Sequence, residues 1–186
     1  HMMPNLGLRE GREIIKYATQ NEFGTTDIQF IIKGAIKEVG LLLLLNKYIS
    51  TKTGVYPFGA SFNVRNAPKT LNKLIDLCRD KIPRDQMPLL VGIGDTVTSV
   101  KDDKKNSWLR GGSDRGFLTL IQRLGESYKK DNQVIFVNSC NDQVSRPRVN
   151  GTDMKGVSDP NDDLKFNMII NDGPEEYIEW FKQLTN

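Results

Sequence analysis

The run Val91-Gly92-Ile93-Gly94-Asp95-Thr96-Val97-Thr98-Ser99 sets one carboxylate among the hydroxyls of Thr96, Thr98 and Ser99. Oxygen donors of this kind suit a hard cation such as Mg²⁺, with waters and phosphate oxygens completing its shell. Gly92 and Gly94 let the backbone turn tightly and come close to a ligand. The same residues also make an Asx turn closing a strand with Asp95 as a local cap, and spacing does not choose between the two. A second run, Arg110-Gly111-Gly112-Ser113-Asp114-Arg115-Gly116, puts a glycine pair ahead of a helix start. Backbone N–H groups there offer an anion site, and Asp114 offers a second acidic group near the cation. Spacing alone favours a plain helix N-terminus with a favourable aspartate. A third run, Lys33-Gly34-Ala35-Ile36-Lys37-Glu38, carries lysines between a strand and a helix. From there an ammonium acts as a fixed positive charge on phosphate oxygens; an exposed Lys37–Glu38 pair, worth little, is the plainer reading.

The residue inventory narrows the chemistry. The sole histidine is His1, and His1-Met2 before Met3 reads as a cloning scar. Without imidazole there is no Ser-His-Asp triad, no Cys-His pair and no histidine metal site. The two cysteines, Cys78 and Cys140, are too few for a structural zinc site, which wants four ligands. Their scarcity does not suit a secreted disulfide scaffold, so a reducing, cytoplasmic setting is expected. Carboxylates, lysines, arginines, hydroxyls and backbone amides remain, an inventory for Mg²⁺ and phosphate. A net charge of +3 spread along 186 residues does not make the clustered basic face of a nucleic-acid binder. The mean hydropathy of −0.45 is that of a soluble globular chain. The longest apolar run, residues 41–45, falls far short of the roughly 20 residues of a membrane span.

Elements must bring these residues together. Residues 9–20 place Ile14, Ile15 and Ala18 at the spacing of a short amphipathic helix, stopped at 21–24. Residues 27–33 are rich in β-formers and predict a strand. Residues 34–48 predict a helix whose wide apolar face, with Ile36, Val39, the leucines at 41–45 and Tyr48, should be well buried. Gly54, Pro57, Gly59 and Pro68 make 51–68 a loop. Residues 69–82 align Leu71, Leu74, Ile75, Cys78 and Ile82 on one helical stripe, with Cys78 as a small buried hydrophobe. Residues 89–93 (LLVGI) read as a strand buried on both faces of a parallel sheet, ending at Asp95. Residues 100–108 read as a surface hairpin or loop. Ser113 is placed to cap the next helix, with Asp114 in its first turn and Phe117, Leu118, Ile121 and Leu124 facing inward. Residues 133–138 predict a strand, 141–163 a long mobile excursion, and 164–170 another strand. Pro174 opens a last helix with Tyr177, Ile178, Phe181 and Leu184 inward and Trp180 packing in the core or at its edge. Helices alternating with apolar strands predict an α/β fold with a mainly parallel sheet flanked by helices.

The order of these motifs resembles the C-terminal half of a haloacid-dehalogenase-type phosphatase, and more narrowly the glucosylglycerol-phosphate phosphatase (salt-tolerance phosphatase) family. The resemblance is carried by PNLGLREGREIIKYA, GTTDIQFIIKGAIKEVGLLLLLNKY, TGVYPFGASF, MPLLVGIGDTVTS and RGGSDRGFLTLIQRLG, across most of residues 4–125. It implies part of a Rossmannoid core, residues 4–186, with the first residues bordering an absent cap and 1–3 as a tag remnant. It also implies a Mg²⁺-dependent phosphomonoester hydrolase that works through an aspartyl-phosphate and releases glucosylglycerol, a compatible solute. Lys37 matches the motif lysine, with Lys33 as runner-up, and Asp95 matches the metal-holding acid, with Asp114 as a second. Thr98, Ser99, Gly112, Ser113 and Arg115 are the remaining candidates for phosphate. This chain departs from sibling sugar-phosphate phosphatases at Thr96 and Ser99, where they carry more acidic residues. The family's Asp-x-Asp-Gly nucleophile motif does not occur. The chain is therefore expected to be inactive alone, to need the N-terminal half of the same protein as partner, and to rearrange or self-associate along an open strand edge. Two alternatives stand beside this reading: a non-catalytic phosphate- or sugar-binding module, and a phosphatase for a different sugar phosphate.

Overall fold

The computed structural model describes residues 14–20, 26–32, 36–102, 106–138, 162–170 and 172–184. The chain divides into two compact units, residues 1–74 and 75–186. The expected tag remnant, Lys33, Cys140 and most of the 141–163 excursion lie outside the described residues.

In the first unit, strand β1 (Ile14–Gln20) pairs antiparallel with β2 (Thr26–Ile32), Ile14 opposite Ile32 and Gln20 opposite Thr26. The expected helix over 9–20 is therefore wrong from Ile14 onward. Ile14, Ile15, Tyr17 and Thr19 are β-branched or aromatic and prefer a pleated ladder once a partner strand is adjacent. Helix α1 (Lys37–Thr53) starts later than Gly34 and runs one turn into the expected loop. It stops at Gly54, whose φ of 77° is the left-handed conformation and whose N–H donates to the Ser50 carbonyl at 2.8 Å. Val39, Leu41, Leu42, Leu45, Asn46 and Ile49 are buried, but Leu44 is 69% exposed and Tyr48 43% exposed. The apolar face is thus narrower than composition suggests. Buried Asn46 pins the following loop, donating from Nδ2 to the Gly59 carbonyl at 3.0 Å and accepting the Phe58 N–H at 2.9 Å.

Helix α2 (Leu71–Lys81) buries Leu74 and Cys78 on the expected stripe, with Ile82 just beyond its end. In the second unit, strands β3 (Val91–Gly94), β6 (Gln133–Val137) and β7 (Met168–Ile170) form a parallel sheet in the order β3-β6-β7. β4 (Thr98–Asp102) and β5 (Ser107–Gly111) pair antiparallel, so the hairpin of the two readings of residues 100–108 holds, with longer arms. α3 (Arg115–Tyr128) covers one face of the sheet through Leu118 and Ile121. On the other face, Tyr177 and Trp180 of α4 (Pro174–Leu184) pack with Ile93, Ile135, Val137 and Ile170. The α/β class with a parallel, helix-flanked sheet stands.

Three expectations change in detail. β3 is an edge strand among the described residues, and its Val91 is 53% exposed, so it is not covered on both faces. β7 is three residues long rather than seven, because Asn167 substitutes for strand backbone. Its side-chain oxygen accepts the Val134 N–H at 2.7 Å, while its own N–H donates to the Val134 carbonyl. α4 turns Trp180 inward in place of Ile178 and Phe181, which are 48% and 37% exposed.

The amino edge of the sheet is tied by Asn132, which accepts the Leu90 N–H at 3.0 Å and donates to the Ile121 carbonyl at 2.9 Å. Tyr128 closes α3 onto the segment after α2, its hydroxyl donating to the Ile82 carbonyl at 3.1 Å.

Candidate functional site

Parallel strands end on one common edge, where ligands sit in open α/β sheets. β3 delivers Asp95 to that edge and β6 delivers buried Asn138, whose N–H donates to the Ile170 carbonyl at 2.8 Å. Asn138 has no local sequence signal; only strand adjacency shows it.

Asp114, 3% exposed, is the residue around which the site is built. Its Oδ2 accepts the backbone N–H groups of both Asp95 and Thr96 at 3.0 Å, and its own N–H donates to the Thr96 carbonyl at 3.1 Å. The Thr96 hydroxyl donates to Asp95 Oδ1 at 2.8 Å. The loop after β3 is therefore templated on the turn that precedes α3. This corrects the expected cap: Asp114, not Ser113, is the N-cap residue, and its carboxylate reaches back to the β3 loop instead of capping the helix. An aspartate that serves three backbone groups in a buried position is held by full hydrogen bonding.

The glycines also have a packing job. A Cβ on Gly94 would lie 2.8 Å from Asp114 Cβ, and one on Gly92 would lie 2.5 Å from Ile121 Cδ1. Both make room for α3 and Asp114. Gly112 has a φ of 100°, and a Cβ there would run into the Thr96 carbonyl. Only glycine lets these two backbones touch.

Among the remaining candidates, Thr98 and Ser99 are described by their backbone alone, which pairs with Gly111 and Arg110 in the hairpin. That register sets Thr98 beside the Gly111-Gly112 turn. Gly112 and Ser113 are exposed ahead of α3. Arg115 sends Nη1 to both oxygens of Asp162, at 2.9 and 2.7 Å, and Nε to the Gly111 carbonyl at 3.2 Å. Asp162 was not among the sequence candidates, since nothing local links two residues so far apart in the chain. Lys37 opens α1 with an exposed side chain and belongs to the first unit, whereas Asp95 and Asp114 belong to the second. The structure thus brings together Asp95, Thr96, Gly112 and Asp114.

Among the described residues, no three His, Cys, Asp or Glu side chains gather as a metal cage. The site instead offers two carboxylates and a hydroxyl, an all-oxygen set of the size Mg²⁺ uses when waters and phosphate complete its shell. Each carboxylate already engages one oxygen, Asp114 Oδ2 with two N–H groups and Asp95 Oδ1 with the Thr96 hydroxyl. No helix among the described residues is long and apolar enough to cross a membrane.

No solved structure matches this chain. Glucosylglycerol-phosphate phosphatase of Synechocystis sp. is 41% identical over an alignment of 198 residues, which covers 98% of this chain and 46% of that protein. The chain therefore spans about half the length of this relative. The glucosylglycerol-phosphate phosphatase family profile matches residues 1–185. A match over nearly every residue, around a parallel-sheet edge that carries a braced aspartate, means that the chain belongs to the glucosylglycerol-phosphate phosphatase family.

Proposed function

We propose that this chain is the C-terminal part of a Mg²⁺-dependent phosphomonoester hydrolase of the haloacid-dehalogenase type, acting on glucosylglycerol phosphate in the cytoplasm. The released glucosylglycerol would serve as a compatible solute in salt tolerance. The observation that carries the reading is Asp95, held at the carboxyl end of β3 by the buried carboxylate of Asp114.

In this reading Asp95 is the main protein ligand of the cation, and Asp114 keeps the Asp95 loop in its conformation and contributes a second carboxylate. The chemistry that Mg²⁺ supplies when bound is charge neutralisation on the phosphoryl oxygens. The family's lysine role, a positive charge on the phosphoryl oxygens, is assigned to Lys37, with Lys33 as the runner-up for the same role. Thr98, Ser99, Gly112 and Ser113 donate hydrogen bonds to phosphate around the amino end of α3. The nucleophilic aspartate comes from outside these 186 residues, since no Asp-x-Asp-Gly occurs within them, and the segment that bears it is the partner of this chain. Alone, the chain does not hydrolyse the phosphoester in this reading.

Phosphate release by the full-length protein tests this. Glucosylglycerol phosphate should be hydrolysed faster than other sugar phosphates, and activity should stop on chelation and return with Mg²⁺. Asp95→Asn should lower kcat about 100-fold or more, as loss of a group that stabilises developing charge does. Unchanged turnover in Asp95→Asn would remove Asp95 from the site. Equal rates on all sugar phosphates would favour a different physiological substrate.

A further inference from the structure

We propose that the part-buried Arg115–Asp162 pair is a latch that positions the Asp95 loop, and that these two are positioning residues and not phosphate contacts. The inference rests on the phosphatase reading only for its kinetic consequence.

The pair is well desolvated, with side chains 15% and 8% exposed and Nη1 2.7 Å from Asp162 Oδ2. Each charge is costly to bury without the other, so the two are held in one geometry. Arg115 grips in two directions. Its Nε bonds the Gly111 carbonyl at 3.2 Å, at the start of the turn that leads to Asp114. Its backbone N–H bonds the Gly112 carbonyl at 3.3 Å. Arg115 thus fixes the turn whose next residue, Asp114, holds the N–H groups of Asp95 and Thr96.

The far side of the latch is also anchored. Asp162 Oδ1 accepts the N–H of buried Leu164 at 3.1 Å. Gln122 donates to the Asp163 carbonyl at 2.8 Å and accepts the Lys165 N–H at 2.8 Å. Arg123 reaches the Asp163 carboxylate at 3.2 Å. Residues 162–165 therefore lie as a strap along the Arg115, Gln122 and Arg123 face of α3, just before β7. The positions seven and eight apart on a helix share a face, which is why the strap runs parallel to the helix axis. Tension in the strap is felt at the turn of residues 111–114 and, through Asp114, at Asp95.

The test uses the full-length protein with Asp162→Asn and Arg115→Gln. Amide hydrogen exchange is read at Asp95, Thr96 and the β6 residues Ile135 and Phe136, alongside kcat and KM for glucosylglycerol phosphate. Both variants should speed exchange at Asp95 and Thr96 while β6 stays protected. Both should lower kcat by about 10- to 100-fold, the range for groups that orient a site's ligands. KM should stay within about twofold, because substrate contacts are untouched. Arg115→Lys keeps a buried cation but loses the Nε bond to Gly111. It should show the same exchange pattern more weakly, and it stands in should the charge-removing variants not fold.

Unchanged exchange at Asp95 and Thr96 overturns the latch. So does an equal loss of protection across β6, which marks a purely structural pair. A KM rise confined to the Arg115 variants overturns it in favour of a phosphate contact. A wild-type protein without phosphatase activity would sink the functional reading instead, and the exchange pattern would still decide the latch.

Discussion

The side chain that organises this molecule's site is one that its local sequence places in a different role. Asp114 sits where an aspartate normally favours the positive end of a helix, yet its carboxylate takes the two backbone N–H groups of Asp95 and Thr96. Removing it leaves two part-buried donors without an acceptor, so Asp114→Ala should destabilise by about 2–6 kcal/mol in urea unfolding, at 1–3 kcal/mol for each such group. Asp114→Asn keeps an oxygen acceptor and should cost less. The three tight glycines form a graded series. Gly92→Ala meets the movable end of Ile121, Gly94→Ala meets the rooted Asp114 Cβ, and Gly112→Ala meets the Thr96 backbone at a positive φ. The expected order of destabilisation is Gly92 least and Gly112 most, from about 1 to more than 3 kcal/mol. A flat series in thermal melts would mean that α3 shifts freely over β3.

At the scale of elements, the strands and helices show where pattern suffices. α2, α3 and β6 follow their apolar spacing closely, because each buries one continuous stripe or run. β1 does not: its spacing fits a helix over a few residues, and only pairing with β2 decides the case. A cross-strand partner is a fact about distant chain, which a short window does not contain. α1 is intermediate, since its leucine run reads as all-round apolar although Leu44 faces solvent. Its polar exception, Asn46, carries weight: Asn46→Ala should cost about 1–3 kcal/mol and loosen residues 54–59, visible as faster amide exchange at Phe58.

α2 and α3 together set the response to base. Burial pushes the Cys78 thiol from 9.0 up to about 12. Burial, with Cys78 as the second cause, also pushes the Tyr128 hydroxyl upward. Both groups are neutral when protonated, and the folded state holds their protons more tightly than the unfolded chain does. Their contribution is therefore complete below about pH 9 and fades as pH climbs toward 12. The melting temperature should fall along that limb, and Cys78→Ala should flatten the fall. An alkaline limb of the same slope in Cys78→Ala would take the thiol out of the account.

At the scale of the whole molecule, the main feature is that β3 lies at the edge of its sheet among the described residues. An edge strand with Leu89 59% and Val91 53% exposed in a parallel sheet is unusual, because parallel sheets are normally covered. The chain covers 46% of its relative's length, and a longer protein that packs chain on this strand makes a testable difference. Val91→Asp should then change the stability of the 186-residue chain by about 0.5 kcal/mol or less, as at other exposed positions. In the full-length protein the same substitution should cost about 2 kcal/mol or more, the transfer penalty of a charge in a covered apolar site. Equal, small effects in both would leave β3 a true edge.

Composition and the apolar spacing of residues 69–82, 117–124 and 133–138 already point to an α/β chain, the lack of histidine beyond His1 leaves oxygen and amine donors for its chemistry, and Asp95 is visible at its strand end. These properties depend on side-chain type and near-neighbour periodicity, which any stretch of chain carries with it. The brace from Asp114, the placement of Asn138, the Arg115–Asp162 pair and the strand identity of Ile14–Gln20 emerge only on folding. Each is a choice of partner across tens of residues, and such choices are made by burial, which rewards a polar group only where the fold supplies its complement.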